Sequence, residues 1–161
     1  MYILDTNICI FLIKNKNEPL LKKIMSNKKE DIYLSSITIA ELEYGASKSL
    51  YREKNRQAIL DFCSNFPKIL DFTTEDTEAY GLIRAYLEKK GTPIGPYDLQ
   101  IAAQGLTRNF TIVTNNYDEF ARIPDLKIET LVSGKYMKDF DDYALDQFPM
   151  RDRVRKLKVW V

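Results

Sequence analysis

Asp5, Glu41, Asp98 and Asn116 are spread over more than a hundred positions, yet the strand pattern could bring all four to one rim of a parallel sheet. The chemistry open to them is bounded by what the chain lacks: among its 161 residues there is no histidine. Ser-His-Asp and Cys-His arrangements are excluded, and with them histidine-based acid and base cleavage of RNA. Zinc sites of three histidines, or of paired cysteines and histidines, are excluded too, since Cys9 and Cys63 cannot replace them. No Gly-x-Gly-x-x-Gly or Walker-type loop is present to cradle a nucleotide. Carboxylates, amides, hydroxyls, Lys and Arg remain. The simplest chemistry open to that set is carboxylates holding a hard divalent ion.

Two carboxylates about 4 Å apart repel by roughly 4 kcal/mol at an effective dielectric near 20. Without a cation one of them protonates or the site opens. A bound Mg²⁺ or Mn²⁺ reverses the sign, acidifies a bound water and stabilises charge on a phosphodiester. Each residue also has a plainer reading on spacing alone. Asp5 could cap the helix that follows it, and Glu41, with Glu43 nearby, could be a solvated helix residue. Asp98 could be a first-turn acid favoured by the helix dipole, and Asn116 could be a turn residue.

The elements that must position these residues read as alternating strands and helices. Tyr2-Ile3-Leu4 is a short apolar run suited to a buried parallel strand. Ile8 to Ile13 reads as helical, and Leu20, Leu21, Ile24 and Met25 have the spacing of a second helix face. A strand is expected at 31–35 and a helix over 38–47. An amphipathic stretch over 52–65 has Ile59, Leu60 and Phe62 on one side, and another strand is expected over 69–72. Thr74 can cap a long helix whose first turn is acidic. Gly91 to Pro96 breaks that helix, and Pro96 opens the next, running to about Leu106. A strand at 111–114, a short helix at 117–121 and a strand at 126–131 follow. The pattern predicts an α/β fold, a three-layer α/β/α arrangement with a central, mainly parallel sheet. Ligands of such sheets gather beyond the carboxyl ends of the strands, where all four polar positions fall.

Composition bounds the answer. Apolar residues make up 45% and charged residues 29%, with 24 basic and 23 acidic side chains, the profile of one globular domain. The longest apolar run, Ile8 to Ile13, falls short of the roughly 20 residues that span a bilayer. No secretory signal is visible, and two cysteines in apolar surroundings read as core residues in a reducing compartment. These features predict a cytoplasmic protein with no membrane contact. Basic clusters occur at Lys14/Lys16, Lys22/Lys23, Lys28/Lys29, Lys48/Arg52/Lys54/Arg56 and Lys89/Lys90. Because phosphate neutralisation supplies much of RNA affinity, and residues 1–132 carry a net charge of −1, recognition by shape is expected over strong nonspecific binding.

Four ordered motifs carry a resemblance. They are Asp5-Thr6-Asn7 after the first strand, Ile39-Ala40-Glu41-Leu42-Glu43-Tyr44-Gly45, Gly91-Thr92-Pro93-Ile94-Gly95-Pro96-Tyr97-Asp98, and Ile112-Val113-Thr114-Asn115-Asn116-Tyr117-Asp118-Glu119-Phe120. Over residues 1–132 the chain resembles PIN-domain proteins of the VapC toxin type. The resemblance implies a divalent-metal-dependent endoribonuclease, Mg²⁺ or Mn²⁺ being held by Asp5, Glu41 and Asp98. Asn116 falls where many members carry a fourth acid, a place that Asp118 or Glu119 could partly fill. It also implies a homodimer acting on RNA, transfer or ribosomal, and neutralised by a cognate antitoxin protein. Residues 133–161 depart from the family pattern. They form an atypical C-terminal extension, acidic and aromatic around Asp139 to Tyr143, then basic from Arg151 to Lys158. A packed element, an antitoxin-like tail and an RNA-gripping arm are the readings open for it. A catalytically silent PIN-like binding module is the alternative for the whole. A phosphoacceptor receiver domain fits less well, since Asp5 stands without a second acid at the first strand.

Overall fold

The apolar run Tyr2–Leu4 forms strand β1 of a computed structural model that describes residues 1–15, 31–66 and 68–130. Helix α1 (Thr6–Asn15), strand β2 (Ile32–Ser35), helices α2 (Ser36–Lys48) and α3 (Arg52–Cys63) and strand β3 (Ile69–Leu70) follow. The long helices α4 (Thr74–Lys89) and α5 (Pro96–Arg108) lead to β4 (Thr111–Val113), the short helix α6 (Tyr117–Phe120) and β5 (Lys127–Glu129). The sheet order is β3-β2-β1-β4-β5, and every neighbouring pair is parallel. Register places Leu4 opposite Leu34 on one side and Val113 on the other. The α/β/α expectation holds, with a sheet that is wholly parallel.

Parallel strands covered on both faces must be apolar throughout, and Ile3, Leu4, Leu34 and Ile112 are all buried to within about one per cent. Ile3 and Ile112 pack with Ile83 and Leu87 of α4 and with Leu99, Ile101, Ala102 and Ala103 of α5. Gly105 lets α5 lie close on β4, since a Cβ there would stand 2.8 Å from Ile112 Cδ1.

At the far end of α5 from Asp98, a second carboxylate fastens two helices together. Asp76 is completely buried. Its Oδ1 accepts from Thr107 Oγ1 at 2.6 Å and from Arg108, and its Oδ2 accepts from Arg108 at 3.1 Å. The Thr73 N–H at 2.8 Å and the Thr73 hydroxyl at 3.2 Å, both on Oδ2, complete the set. The start of α4 therefore lies against the end of α5, and the two helices run antiparallel.

Several expectations are corrected. Thr73, not Thr74, precedes the first turn of α4 and shares the reciprocal capping arrangement with Asp76. Leu60 is turned outward and 48% exposed while Ile59 and Phe62 are buried, because the buried stripe of α3 is narrower than the sequence pattern drew it. The third strand stops at Leu70, as Asp71 and Phe72 already lead toward the cap. Cys63 is half-buried, unlike the buried Cys9. The helix expected around Leu20 to Met25 and the extension 133–161 lie outside the described residues.

Candidate active site

The chain leaves β1 in one direction, through β2 to β3, and returns to lay β4 on its other side. The reversal between β1 and β4 is the topological switch point of an open parallel sheet, where ligands collect. Asp5 is the first residue past β1, its N–H still bonded to the Val113 carbonyl at 3.0 Å. Thr114, the first past β4, donates its hydroxyl to Asp5 Oδ2 at 2.8 Å. The Asn116 N–H donates to that same Thr114 oxygen at 2.9 Å. A relay of polarised bonds thus runs from the β4 turn into the Asp5 carboxylate.

Helix α2 supplies Glu41. Its start is fixed by the Ser35 hydroxyl, which accepts from the Ile37 N–H at 3.0 Å. Thr6, the first residue of α1, donates to Glu41 Oε2 at 2.5 Å and lies 3.3 Å from the buried Thr38 hydroxyl. Helix α5 supplies Asp98 from its first turn, set by Pro96 at the opening of the helix. A Cβ on Gly95 would come within 3.1 Å of Asp98 Oδ2, so glycine there leaves room around the carboxylate.

The electrostatics show that these groups share one space. Burial raises the Asp5 carboxyl from its ordinary 3.8 to about 6, with the Glu119 charge pushing the same way. The Thr114 hydroxyl, and to a lesser degree the Thr6 N–H and the Asn7 side chain, oppose it. Glu41 rises to about 7, again chiefly through burial, aided by Asp5 and opposed by its bond from Thr6. Asp98 is pushed well above the usual carboxylate range by burial, then by the charges of Asp5, Glu119 and Glu41. Asp5 Oδ1 is buried and has no hydrogen-bond partner. Crowded, partly unsatisfied acids of this kind are costly to keep, and such groups concentrate at functional sites.

The structure therefore gathers Asp5, Glu41 and Asp98 at the rim. Asn116 joins through its backbone, bonding Thr114 and receiving the Glu119 N–H at 3.3 Å on its carbonyl. Of the two acids proposed to replace a fourth carboxylate, Glu119 acts electrostatically on Asp5 and Asp98, while Asp118 is exposed. Sequence reasoning missed Thr6 and Thr114 as positioning residues. Their signal was adjacency: each stands next to a site residue or its turn. Asn115 was also missed, and both polar atoms of its side chain are buried without a partner.

Among the described residues, no three His, Cys, Asp or Glu side chains are close enough to hold a metal ion by themselves. A small ion such as Mg²⁺ dehydrates reluctantly, takes one or two carboxylates and keeps several waters, so it would need no closed cage of three acids. The unpartnered Asp5 Oδ1 and the mutual repulsion of the three acids are what such an ion would satisfy.

A parallel sheet with acids at its switch point has clear counterparts among known proteins. Residues 2–126 match the PIN domain, and the chain belongs to the PIN-domain family. Within it the chain groups with the VapC ribonucleases. It is 46% identical over 128 residues to the tRNA(fMet)-specific endonuclease VapC of Salmonella typhimurium, covering 80% of this chain and 96% of that protein. It is 42% identical to Ribonuclease VapC2 of Rickettsia felis, with the same coverage. The DNA-bound VapBC structure from Salmonella typhimurium superposes with a TM-score of 0.77 at 44% identity, covering 81% of this chain and 98% of that one. The Rickettsia felis VapBC2 structure, bound to a promoter DNA fragment, gives 0.75 at 40% identity, covering 80% and 97%.

Proposed function

We propose that the protein is the endoribonuclease toxin of a toxin–antitoxin pair, cutting RNA in a divalent-metal-dependent reaction at the rim formed by Asp5, Glu41 and Asp98. The observation that carries the reading is the convergence of three proton-hungry carboxylates at the β1/β4 switch point in a chain without histidine. Relatives named as tRNA(fMet)-specific endonucleases make transfer RNA, the initiator above all, the first substrate class. Structures of VapC relatives in VapBC complexes support a cognate antitoxin partner. The reading includes a homodimer in the cytoplasm; its free cysteines suit a reducing compartment.

Asp5, through Oδ1, and Asp98 would hold Mg²⁺ or Mn²⁺, with Glu41 and Glu119 reaching it directly or through bound water. When bound, the ion acidifies a water and stabilises charge on the phosphodiester. Glu41, with a proton affinity near neutrality, is suited to take the proton of the attacking water. Thr6 fixes the Glu41 carboxylate and Thr114 fixes that of Asp5, so that both face the substrate in one geometry. The water oxygen bonds to phosphorus, the P–O3′ bond breaks, and O3′ leaves as a hydroxyl after protonation. The products are a 5′-phosphate and a 3′-hydroxyl.

The test is cleavage of total RNA by the purified protein with Mg²⁺ or Mn²⁺, against an Asp5→Asn control, with the ends mapped. Metal-dependent cuts bearing 5′-phosphates, absent in the control, are expected. Cyclic 2′,3′-phosphate ends would overturn the mechanism, and equal behaviour of the two proteins would point to a silent binding module.

A further inference from the structure

Beside the carboxylate rim lies a feature the reaction above does not use. The end of α4, the loop into α5 and the turn after α6 border an open surface cavity of about 470 Å³, lined by Tyr86, Lys90, Thr92, Ala121, Arg122 and Pro124. Two of these segments adjoin the helices that carry acids of the rim. Thr92 lies on the loop that ends at the helix bearing Asp98, and the Arg122 N–H bonds the Glu119 carbonyl at 3.2 Å.

The lining contains no carboxylate. Among the described residues, Arg52, Arg56, Arg84 and Arg108 each meet an acidic side chain, whereas Arg122 forms no ion pair. Lys90 has its ammonium 4.5 Å from the centroid of the Tyr86 ring, and that ring is half-buried and packed against the core. An arginine without an ion pair, an exposed ammonium and a supported aromatic ring form the combination that binds single-stranded nucleic acid: cations for phosphate, a π-face for a base. An anionic rim repels RNA unless cations stand beside it, and the low net charge makes that help local.

We propose that this cavity is the subsite for a nucleotide flanking the scissile phosphate, its base lodged against Tyr86 and its phosphate taken by Lys90 and Arg122. Lys90 exchanges the ring for a phosphate oxygen as the base arrives. The proposal rests on the nuclease reading of the neighbouring rim, and it names where selectivity for the RNA chain resides.

The experiment measures binding apart from cleavage. In an Asp5→Asn background, fluorescence anisotropy follows a fluorescein-labelled single-stranded oligoribonucleotide of mixed sequence. The pair Lys90→Gln and Arg122→Gln is expected to weaken binding about tenfold and to reduce the slope of log K against log salt by about 1.4, the value for two phosphate contacts on a single strand. Tyr86→Leu is expected to weaken binding about tenfold with the slope unchanged, as loss of one stacked base would, and Tyr86→Phe to restore it. Arg52→Gln with Lys54→Gln, on α3, controls for general loss of charge and should leave both quantities alone. In the active protein the cation pair should raise KM and spare kcat. Unchanged affinity and slope in the cation pair overturns the subsite, even where the parent protein cleaves RNA and the nuclease reading stands. Loss of antitoxin affinity with RNA affinity intact also overturns it, marking a protein contact instead. A parent protein that binds RNA through these residues but never cuts it keeps the subsite and removes the nuclease reading.

Discussion

Asp76 and Asp5 are both completely buried carboxylates, and the molecule treats them in opposite ways. Asp76 receives donors on both oxygens, from Thr73, Thr107 and Arg108. Burial pushes its carboxyl up, but the Arg108, Thr107 and Thr73 bonds outweigh it and hold the group below the ordinary 3.8. Asp5 receives the Thr114 hydroxyl on one oxygen, with weaker help from the Thr6 N–H and the Asn7 side chain, leaves the other oxygen without a partner, and faces further acids. Burial therefore says little about role. The count and sign of the partners separate a carboxylate that fastens two helices from one held ready for something the chain does not itself provide.

The sharpest way to break this contrast is to neutralise each acid in turn. Asp5→Asn should lower kcat about a thousandfold, since the cation-assisted stabilisation it supports is worth several kcal/mol and each 1.36 kcal/mol is tenfold. The same substitution should not lower the melting temperature of the metal-free protein, because it removes a repelled, half-satisfied charge. Asp76→Asn should do the reverse. It leaves Arg108 without its counter-charge, a loss of about 3 kcal/mol in stability by denaturant titration, with kcat per folded molecule unchanged. Equal stability losses in both variants would mean the two acids differ less than their partners indicate.

Acidity separates them next. A carboxyl raised by folding binds its proton more tightly in the folded state, so stability is greatest at low pH and falls as pH climbs through the folded value. For Asp5, moving from 3.8 to about 6, that decline amounts to about 3 kcal/mol between pH 4 and 7. Glu41, rising from 4.5 to about 7, adds in the same direction. Asp76, held low, has the opposite sign: its stabilisation is present above its unfolded value and is lost only as pH falls below it. Thermal melts in chelator should therefore show stability decreasing from pH 4.5 to 7.5. Mg²⁺ should cancel much of the decline, and Asp5→Asn should flatten it. A metal-free protein whose stability rises over that range would remove the crowded-acid description of the rim.

How far this contrast was legible beforehand depends on distance along the chain. The strand at Tyr2–Leu4 and the Pro96 helix start follow from local pattern, and the rule that parallel sheets gather ligands at their carboxyl ends allows Asp5, Glu41 and Asp98 to meet at the rim; the family resemblance singled those three out. Partners far apart in sequence leave no such trace. Thr114 is 109 residues from Asp5, and Thr107 is 31 from Asp76, and nothing in the run Thr73-Thr74-Glu75-Asp76 marks the last acid as buried. The acidic first turn of α4 read as a dipole-favoured segment because propensity sees the helix and not Arg108 beyond it. Glu119 was one of two adjacent acids, and only the turn of α6 decides which of them faces Asp5.

A matched pair of substitutions makes the finest comparison. Thr114 and Thr107 each donate one hydroxyl to a buried carboxylate, at 2.8 Å and 2.6 Å, and valine removes that bond while nearly keeping the shape. At Thr107→Val the carboxylate keeps Arg108 and Thr73, so it remains ionised. The expected result is a stability loss of about 1–2 kcal/mol, as for one hydrogen bond to a charged group, with no change in the pH dependence of cleavage. At Thr114→Val the carboxylate loses its one donor of good geometry, and protonation becomes the cheaper response. Stability near pH 5 should hardly change, because a neutral acid needs no such partner, while the acid limb of the cleavage-rate profile moves to higher pH. Asn116 loses its acceptor as well, so Thr114→Ser, which restores the hydroxyl, should return the limb to its place. An unshifted limb in Thr114→Val would show that the Thr114 hydroxyl orders the β4 turn without tuning Asp5, and the relay from Asn116 would end one residue short of the chemistry.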